Sequence, residues 1–346
     1  MKHIFAASLV FLVMSATSLW AQYESPGLGP DVNFRSMYKA ERPWKLWLRA
    51  SIGHDDNVQE IGQATFFRGD TGSAFVGLTA EGSAWVKADA FLAGVALRFD
   101  QLYYLADQQD PAPAGFFSTD ANDFDFTIIN PALFVAYRID KAPVPLTLRA
   151  GYDFRYEDAE TEGGKFHTVS TGIGADLTSA WTADLTYAHG WDDHGVIYAF
   201  GHNLNDRDGQ RDSLTLSTGY TFNERRTRLI LLYGFLRNDT DGQNFSYEGN
   251  RISVRLESVL VGPLFGALQF GYERRDYHNG FTTFNPLIPA PGRTDMDLYV
   301  FGAQLLWKLN QHWAVDAFYN FTSYQTNVAL FDSNRHVIGM GIRYDF

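Results

Sequence analysis

Asn250-Arg251-Ile252-Ser253-Val254-Arg255-Leu256-Glu257 decides the fold. Ile252, Val254 and Leu256 alternate with Arg251, Ser253, Arg255 and Glu257. Successive side chains of an extended chain point to opposite faces, so this stretch makes a strand with one apolar and one charged face. The same period of two recurs on both sides of it. Thr147–Arg155 sets Leu148, Ala150, Tyr152 and Phe154 against Arg149, Asp153 and Arg155. Ser213–Phe222 sets Leu214, Leu216, Tyr220 and Phe222 against Ser213, Thr215, Ser217, Gly219 and Thr221. Ala90–Leu105 carries Phe91, Ala93, Val95, Leu97 and Phe99 on one face, with Gly94, Arg98 and Asp100 on the other. From Lys45 onward no segment shows a convincing helical stripe.

Fourteen such runs can be placed, at 45–55, 72–86, 90–106, 122–139, 145–157, 166–178, 182–192, 212–223, 227–238, 247–259, 264–276, 295–309, 313–325 and 333–346. The connections alternate in length. Short ones fall at 87–89, 141–144, 179–181, 223–226, 261–263 and 310–312, and long ones at 56–71, 107–121, 158–165, 193–211, 239–246, 277–294 and 326–332. Strands of a soluble sandwich usually run five or six residues, and nothing makes its loops alternate. Long strands with short turns on one side and long loops on the other define an all-β, transmembrane, antiparallel up-and-down β-barrel of about 14 strands. An even count returns both chain ends to the short-turn side, which is periplasmic in such barrels. The long segments 107–121, 193–211 and 277–294 are then expected to face outward from the cell.

Aromatic residues sort to the two ends of these strands. Trp44, Trp85, Trp181, Trp307 and Trp313 lie near the short turns; Tyr103, Tyr104, Tyr187, Trp191 and Tyr233 lie near the long loops. Rings of this kind form belts at membrane interfaces. One strand breaks phase. Phe124, Phe126 and Ile128 share a parity that Leu133, Val135 and Tyr137 do not, which predicts a β-bulge near Asn130-Pro131. Residues 228–236 are apolar on both faces, so Ile230, Leu232 and Leu236 are expected to meet a plug, a folded loop or another chain.

The N-terminus reads as a secretory signal peptide over 1–21: Met1-Lys2-His3, an apolar run from Ile4 to Ala16, and a small residue at Ala21. Residues 22–44 then form a loosely ordered periplasmic leader, polar and rich in Gly and Pro, and 45–346 form the barrel. The chain of 346 residues contains no Cys, which excludes disulfides, Cys-ligated metals and thiol catalysis. Its formal net charge of −12 argues against a nucleic-acid partner, which needs a basic face.

If the apolar series faces lipid, the opposite series lines the lumen. That places Arg49, Glu81, Arg98, Asp100, Arg149, Asp153 and Arg155 inside, followed by Arg251, Arg255, Glu257, Glu273, Arg275, Asp316 and Arg343. Arg is favoured where a fixed, permanently charged fork must hold a carboxylate. The series therefore reads either as an ion-pair ladder bracing the wall or as a solute-selective constriction. Gly53-His54-Asp55-Asp56, Trp191-Asp192-Asp193-His194 and Asp206, Asp208, Gly209 and Asp212 hold donor atoms, but none completes a metal motif. His167, His189 and His336 lack a visible nucleophile partner, so no enzyme, metal or cofactor is expected.

Two resemblances follow. Ile338, Met340, Ile342, Tyr344 and Phe346 form an alternating series ending on the terminal residue. It resembles the signal by which the bacterial barrel-assembly machinery recognises its substrates, with Ile342, Tyr344 and Phe346 as its core. Gly53-His54-Asp55-Asp56-Asn57-Val58 resembles the Gly-Tyr-Asp-Asp-Asn-Val opening of surface-lipoprotein-assembly-modifier barrels and related porin-like barrels. Those are also fourteen-stranded. His54 replaces the aromatic residue here, and no tetratricopeptide helices fit between signal and first strand. The resemblance implies a Gram-negative outer-membrane location, among outer-membrane lipid and lipopolysaccharide. The expected function is a porin-like channel for passive, weakly selective passage of small hydrophilic solutes. The alternatives are an export or assembly barrel with a separate periplasmic partner, or a closed anchoring barrel.

Overall fold

A computed structural model describes residues 33–56, 72–105, 125–159, 163–194, 206–242, 245–278, 294–327 and 332–346. The proposed signal peptide and segment 107–121 lie outside these residues, as does most of 193–211 and 277–294. A short helix, α1 (Phe34–Lys39), precedes fourteen strands: β1 (Trp44–Asp55), β2 (Ser73–Ala88), β3 (Phe91–Tyr104), β4 (Phe126–Ile139), β5 (Leu146–Ala159), β6 (Gly164–Asp176), β7 (Trp181–His194), β8 (Gly209–Phe222), β9 (Thr227–Thr240), β10 (Tyr247–Val261), β11 (Leu264–Tyr277), β12 (Asp295–Lys308), β13 (Trp313–Thr326) and β14 (Ser333–Asp345).

Each strand pairs antiparallel with its sequence neighbours, and β1 pairs with β14 to close the barrel. Closure leaves no edge strand exposed. The outer face is apolar: Leu214 and Leu216 on β8, Leu231 and Tyr233 on β9 and Ile252 on β10 are all exposed. Exposed Trp44, Trp181, Trp307 and Trp313 ring the short-turn end. In an aqueous protein such a continuous apolar exterior would be a large liability; in a bilayer it is the required surface.

Three expectations need correction. β4 contains no bulge at Asn130-Pro131. Its register against β3 runs unbroken from Phe91↔Tyr137 to Leu102↔Phe126, so Ile128, Asn130, Ala132, Phe134 and Ala136 all face inward and are buried. The phase conflict arose because Phe126 and Ile128 are apolar residues of the lumen. The register shift instead lies in β10, between Val259 and Val261. Second, Trp85 and Tyr104 do not belong to the outer belts. Both point into the barrel and are buried. Third, the leader is not without regular structure, because α1 interrupts it.

The β1–β14 seam has a local device. Gly53 pairs directly with Gly339. The Phe75 ring of β2 lies where a Cβ on Gly53 would stand, 2.5 Å away, and the backbone oxygen of Ile338 crowds the same point. The Phe318 ring of β13 covers Gly339 in the same way. Both rings join a buried cluster with Leu102, Tyr104 and Val337.

Candidate functional site

The lumen is the candidate site, and α1 is its first feature. Asn33 caps the helix by accepting a hydrogen bond from the Ser36 amide at 3.0 Å. Six residues cannot hold a helix on propensity alone, so docking sustains it. Met37 is buried among Trp85, Leu92, Ala96, Ala132, Phe134 and Ala136, all on the inward faces of β2–β4. The Phe34 ring meets Phe134 edge-on at 5.6 Å. Tyr38 Oη donates to the Ala90 carbonyl at 2.8 Å, and Lys87 Nζ donates to the Tyr38 carbonyl at 2.9 Å.

Arg35 reaches the next walls. Its Nε donates to Asp176 Oδ1 of β6 at 2.7 Å and its Nη1 to Asp184 Oδ2 of β7 at 2.8 Å. Arg138 holds the other oxygen of Asp176 at 3.1 Å, and Arg149 holds Asp184 Oδ1 at 2.8 Å. Five charges thus alternate along one chain, Arg138–Asp176–Arg35–Asp184–Arg149. Burial works against the Arg35 charge, but Asp184 and Asp176 outweigh it and hold its pKa above the ordinary value. Gly174 leaves the room this needs: a Cβ there would stand 2.6 Å from Asp184 and 3.0 Å from Arg35.

The sequence-predicted lining residues all face inward, and every one of them has a partner. Arg49 forks onto Asp316 at 2.9 and 2.6 Å and lies over the Phe318 ring. Lys45 approaches Glu81 at 3.5 Å. Arg98 holds Asp100, which also accepts from Thr79 at 2.9 Å. Asp153 accepts from Asn130 at 3.4 Å. Arg155 pairs with Glu157 at 2.9 Å above the Phe166 ring. Arg251 and Arg275 grip opposite oxygens of Glu273, each at 2.6 Å. Arg255 pairs with Glu257 and donates to Gln269 at 3.1 Å. Arg343 holds Asp345 at 2.9 Å and covers the Trp47 ring.

Several of these pairs follow one rule, Arg-x-Asp or Arg-x-Glu. Residues two apart on a strand share a face, so Arg98/Asp100, Arg155/Glu157, Arg255/Glu257 and Arg343/Asp345 meet within their own strands. Sequence reasoning overlooked three others: Arg35 in α1, Arg211 with Asp192 at 3.1 Å, and Arg335 with Asp55 at 2.9 Å. Tyr104 donates to the same Asp55 at 2.9 Å. Asp55 is therefore committed to Arg335 inside, while its neighbour His54 faces outward. Among the described residues no cluster of His, Cys, Asp and Glu is arranged to hold a metal.

The proposed assembly residues sit at the closing seam. Ile342 faces outward, Tyr344 packs on Trp313 at 4.8 Å, and the Phe346 amide donates to the Leu46 carbonyl at 3.1 Å.

No family model matches the chain, and no curated protein does. Solved structures do. The TodX monoaromatic hydrocarbon channel in its deltaS2 mutant form is 10% identical, with TM-score 0.51 over 90% of this chain and 91% of that one. Its deltaS2S3 form is 11% identical, with TM-score 0.51 over 90% and 92%. A FadL homologue of Pseudomonas aeruginosa is 13% identical, with TM-score 0.46 over 90% and 92%. At these identities the likeness is one of fold. The chain is a closed, fourteen-stranded antiparallel barrel that shares its fold with the two TodX structures.

Proposed function

We propose that the chain is a porin-like outer-membrane channel for passive, weakly selective passage of small hydrophilic solutes, narrowed at its short-turn end by α1. One observation carries this reading. α1 covers the inward faces of β2–β4 and reaches β6 and β7, yet the inward-facing Ile230 and Leu232 of β9 stay half-exposed. The helix therefore leaves the β8–β11 side of the lumen uncovered. Among the described residues of β9–β11, the inward-facing Arg228, Arg251, Arg255 and Arg275 are accompanied only by Glu257 and Glu273 as inward-facing acids. The surplus cations favour anions, and the pairing keeps the preference mild. The fold likeness to channels supports the same reading. Outer-membrane residence is part of the proposal, supported by the apolar exterior and its Trp ring.

A closed anchoring barrel is the second reading, favoured by the Arg35 clamp. An export barrel with a periplasmic partner rests on residues 53–58 alone. Single-channel recording in planar bilayers separates them. The wild type is expected to conduct, and Arg35→Ala to conduct more, because Asp176 and Asp184 keep Arg138 and Arg149 while α1 loses its grip. Replacing Arg251 and Arg255 with Ser should move the reversal potential toward cation preference. Silence from both wild type and Arg35→Ala would refute the channel.

A further inference from the structure

We infer that the narrow end of the lumen holds a binding site for a small amphipathic carboxylate, with Arg228 as its anchor and Ile230 and Leu232 as its apolar floor. This rests on the channel reading for how the ligand arrives, but not for whether it binds.

Every lumen-lining Arg named above has a carboxylate; Arg228 does not. It faces inward on β9, directly opposite Glu257 in the β9–β10 register. Glu257, however, is engaged by Arg255 Nε. The Arg228 guanidinium turns the other way and lies across Gly219 of β8. A Cβ on Gly219 would stand 3.0 Å from Arg228 Nη2 and 3.2 Å from Nε. Any larger residue at 219 would displace it. Among the described residues the half-exposed guanidinium has no acidic partner, so a carboxylate entering the lumen meets an uncommitted cation.

Gly219 is also the cross-strand partner of Ile230. The cation therefore lies beside the first aliphatic residue of the patch. Leu232 follows on the same face, flanked by Ser217 and Ser253 in the register. Small neighbours leave both aliphatic side chains open to the lumen. A planar fork at one end and an aliphatic floor beyond it suit a monocarboxylate with a short apolar body. The head takes two parallel hydrogen bonds, and the body buries apolar surface that water now covers. A simple inorganic anion would use only the fork, and an apolar solute only the floor.

The test is equilibrium dialysis of labelled hexanoate against the full chain in phosphatidylcholine nanodiscs, with empty nanodiscs subtracted. Hexanoate should bind at least tenfold more tightly than acetate, which lacks the body, and than hexylammonium, which has the wrong charge. Arg228→Gln should weaken hexanoate about tenfold, since one charge-assisted contact is worth about 1.4 kcal/mol or more. Arg228→Lys should recover part of the loss. Replacing Ile230 and Leu232 with Ser should abolish the preference for hexanoate over acetate. Heat-modifiable migration on gels verifies that each variant is folded. Equal binding of hexanoate and acetate, or hexanoate binding unchanged in folded Arg228→Gln, would overturn the site. Hexanoate binding without conductance would instead overturn the channel reading and leave the site standing.

Discussion

Along β2–β4 the lumen face carries Trp85, Leu92, Ala132 and Phe134; along β10 and β11, across the barrel, the corresponding face carries Arg251, Arg255, Glu273 and Arg275. Both walls are built on the same alternation, and both turn an apolar series outward. They differ in what stands in front of them. α1 lies against the first wall and keeps it dry, so aromatic and aliphatic groups pack there as in a soluble core. Nothing described covers the second wall, and there each charge is matched by a neighbour two residues along or one strand across. A buried lumen face is therefore apolar where α1 packs against it and ion-paired where no described element does.

The comparison is broken most severely by charging the dry wall. Met37→Asp would bury a carboxylate in the Trp85–Leu92–Phe134 cluster with no cation to meet it, which favours expulsion of α1. A severalfold rise in single-channel conductance is the expected outcome, with the barrel still folded. Conductance equal to that of the wild type would show that α1 does not set the aperture.

Glu273→Gln attacks the charged wall. Arg251 and Arg275 would then share no carboxylate. Removing one partner of a buried charge group costs about 3 kcal/mol, so the midpoint of urea unfolding in lipid vesicles should fall accordingly. A midpoint within error of the wild type would mean water solvates this wall well enough to replace the carboxylate.

Gly339→Ala tests a junction belonging to neither wall. Its Cβ would run into the Phe318 ring and stand 2.7 Å from the Ile52 carbonyl. Overpacking of this kind costs about 2 kcal/mol, read from the same unfolding curves. Pairing Gly339→Ala with Phe318→Leu should restore part of the loss, and failure to do so would place the strain in the backbone.

The smallest effect is expected at the β8–β9 turn. Asn223, Glu224 and Arg225 all have positive φ, at 52°, 54° and 67°. Arg225→Gly should relieve left-handed strain and stabilise by about 0.5 kcal/mol, leaving conductance unchanged. A loss of stability would assign the Arg225 side chain a contact outside the described residues.

Most strand boundaries were legible because period two persists for a dozen residues at a time, as in β3 and β8. The inward face of most strands was legible for the same reason, and Arg98/Asp100 or Arg255/Glu257 could have been paired from spacing alone. β4 was misread where the rule equating apolar with outward fails. Ile128 and Phe126 face a lumen that is dry at that height, and period two cannot tell a lipid-facing surface from a dry interior one. α1 was illegible because six residues are too few to show a helical period. Arg35 could not be assigned its partners either, because they lie 141 and 149 residues away. Arg228 was visible as a residue but not as a site, since only the structure shows its neighbour Glu257 already taken.

The Gly53–Gly339 pair also bears on how the barrel comes into being. The β1–β14 ladder joins the two ends of the chain, so by loop-closure entropy it is among the slowest contacts to form. Until it forms, the sheet has two raw edges inviting promiscuous pairing. Where those edges meet at Gly53 and Gly339 neither carries a side chain, and the two strands can approach sideways without first clearing rotamers. Phe75 of β2 and Phe318 of β13 cover the join from within. The aromatic cover fits only this register, so a mispaired closure would forfeit it.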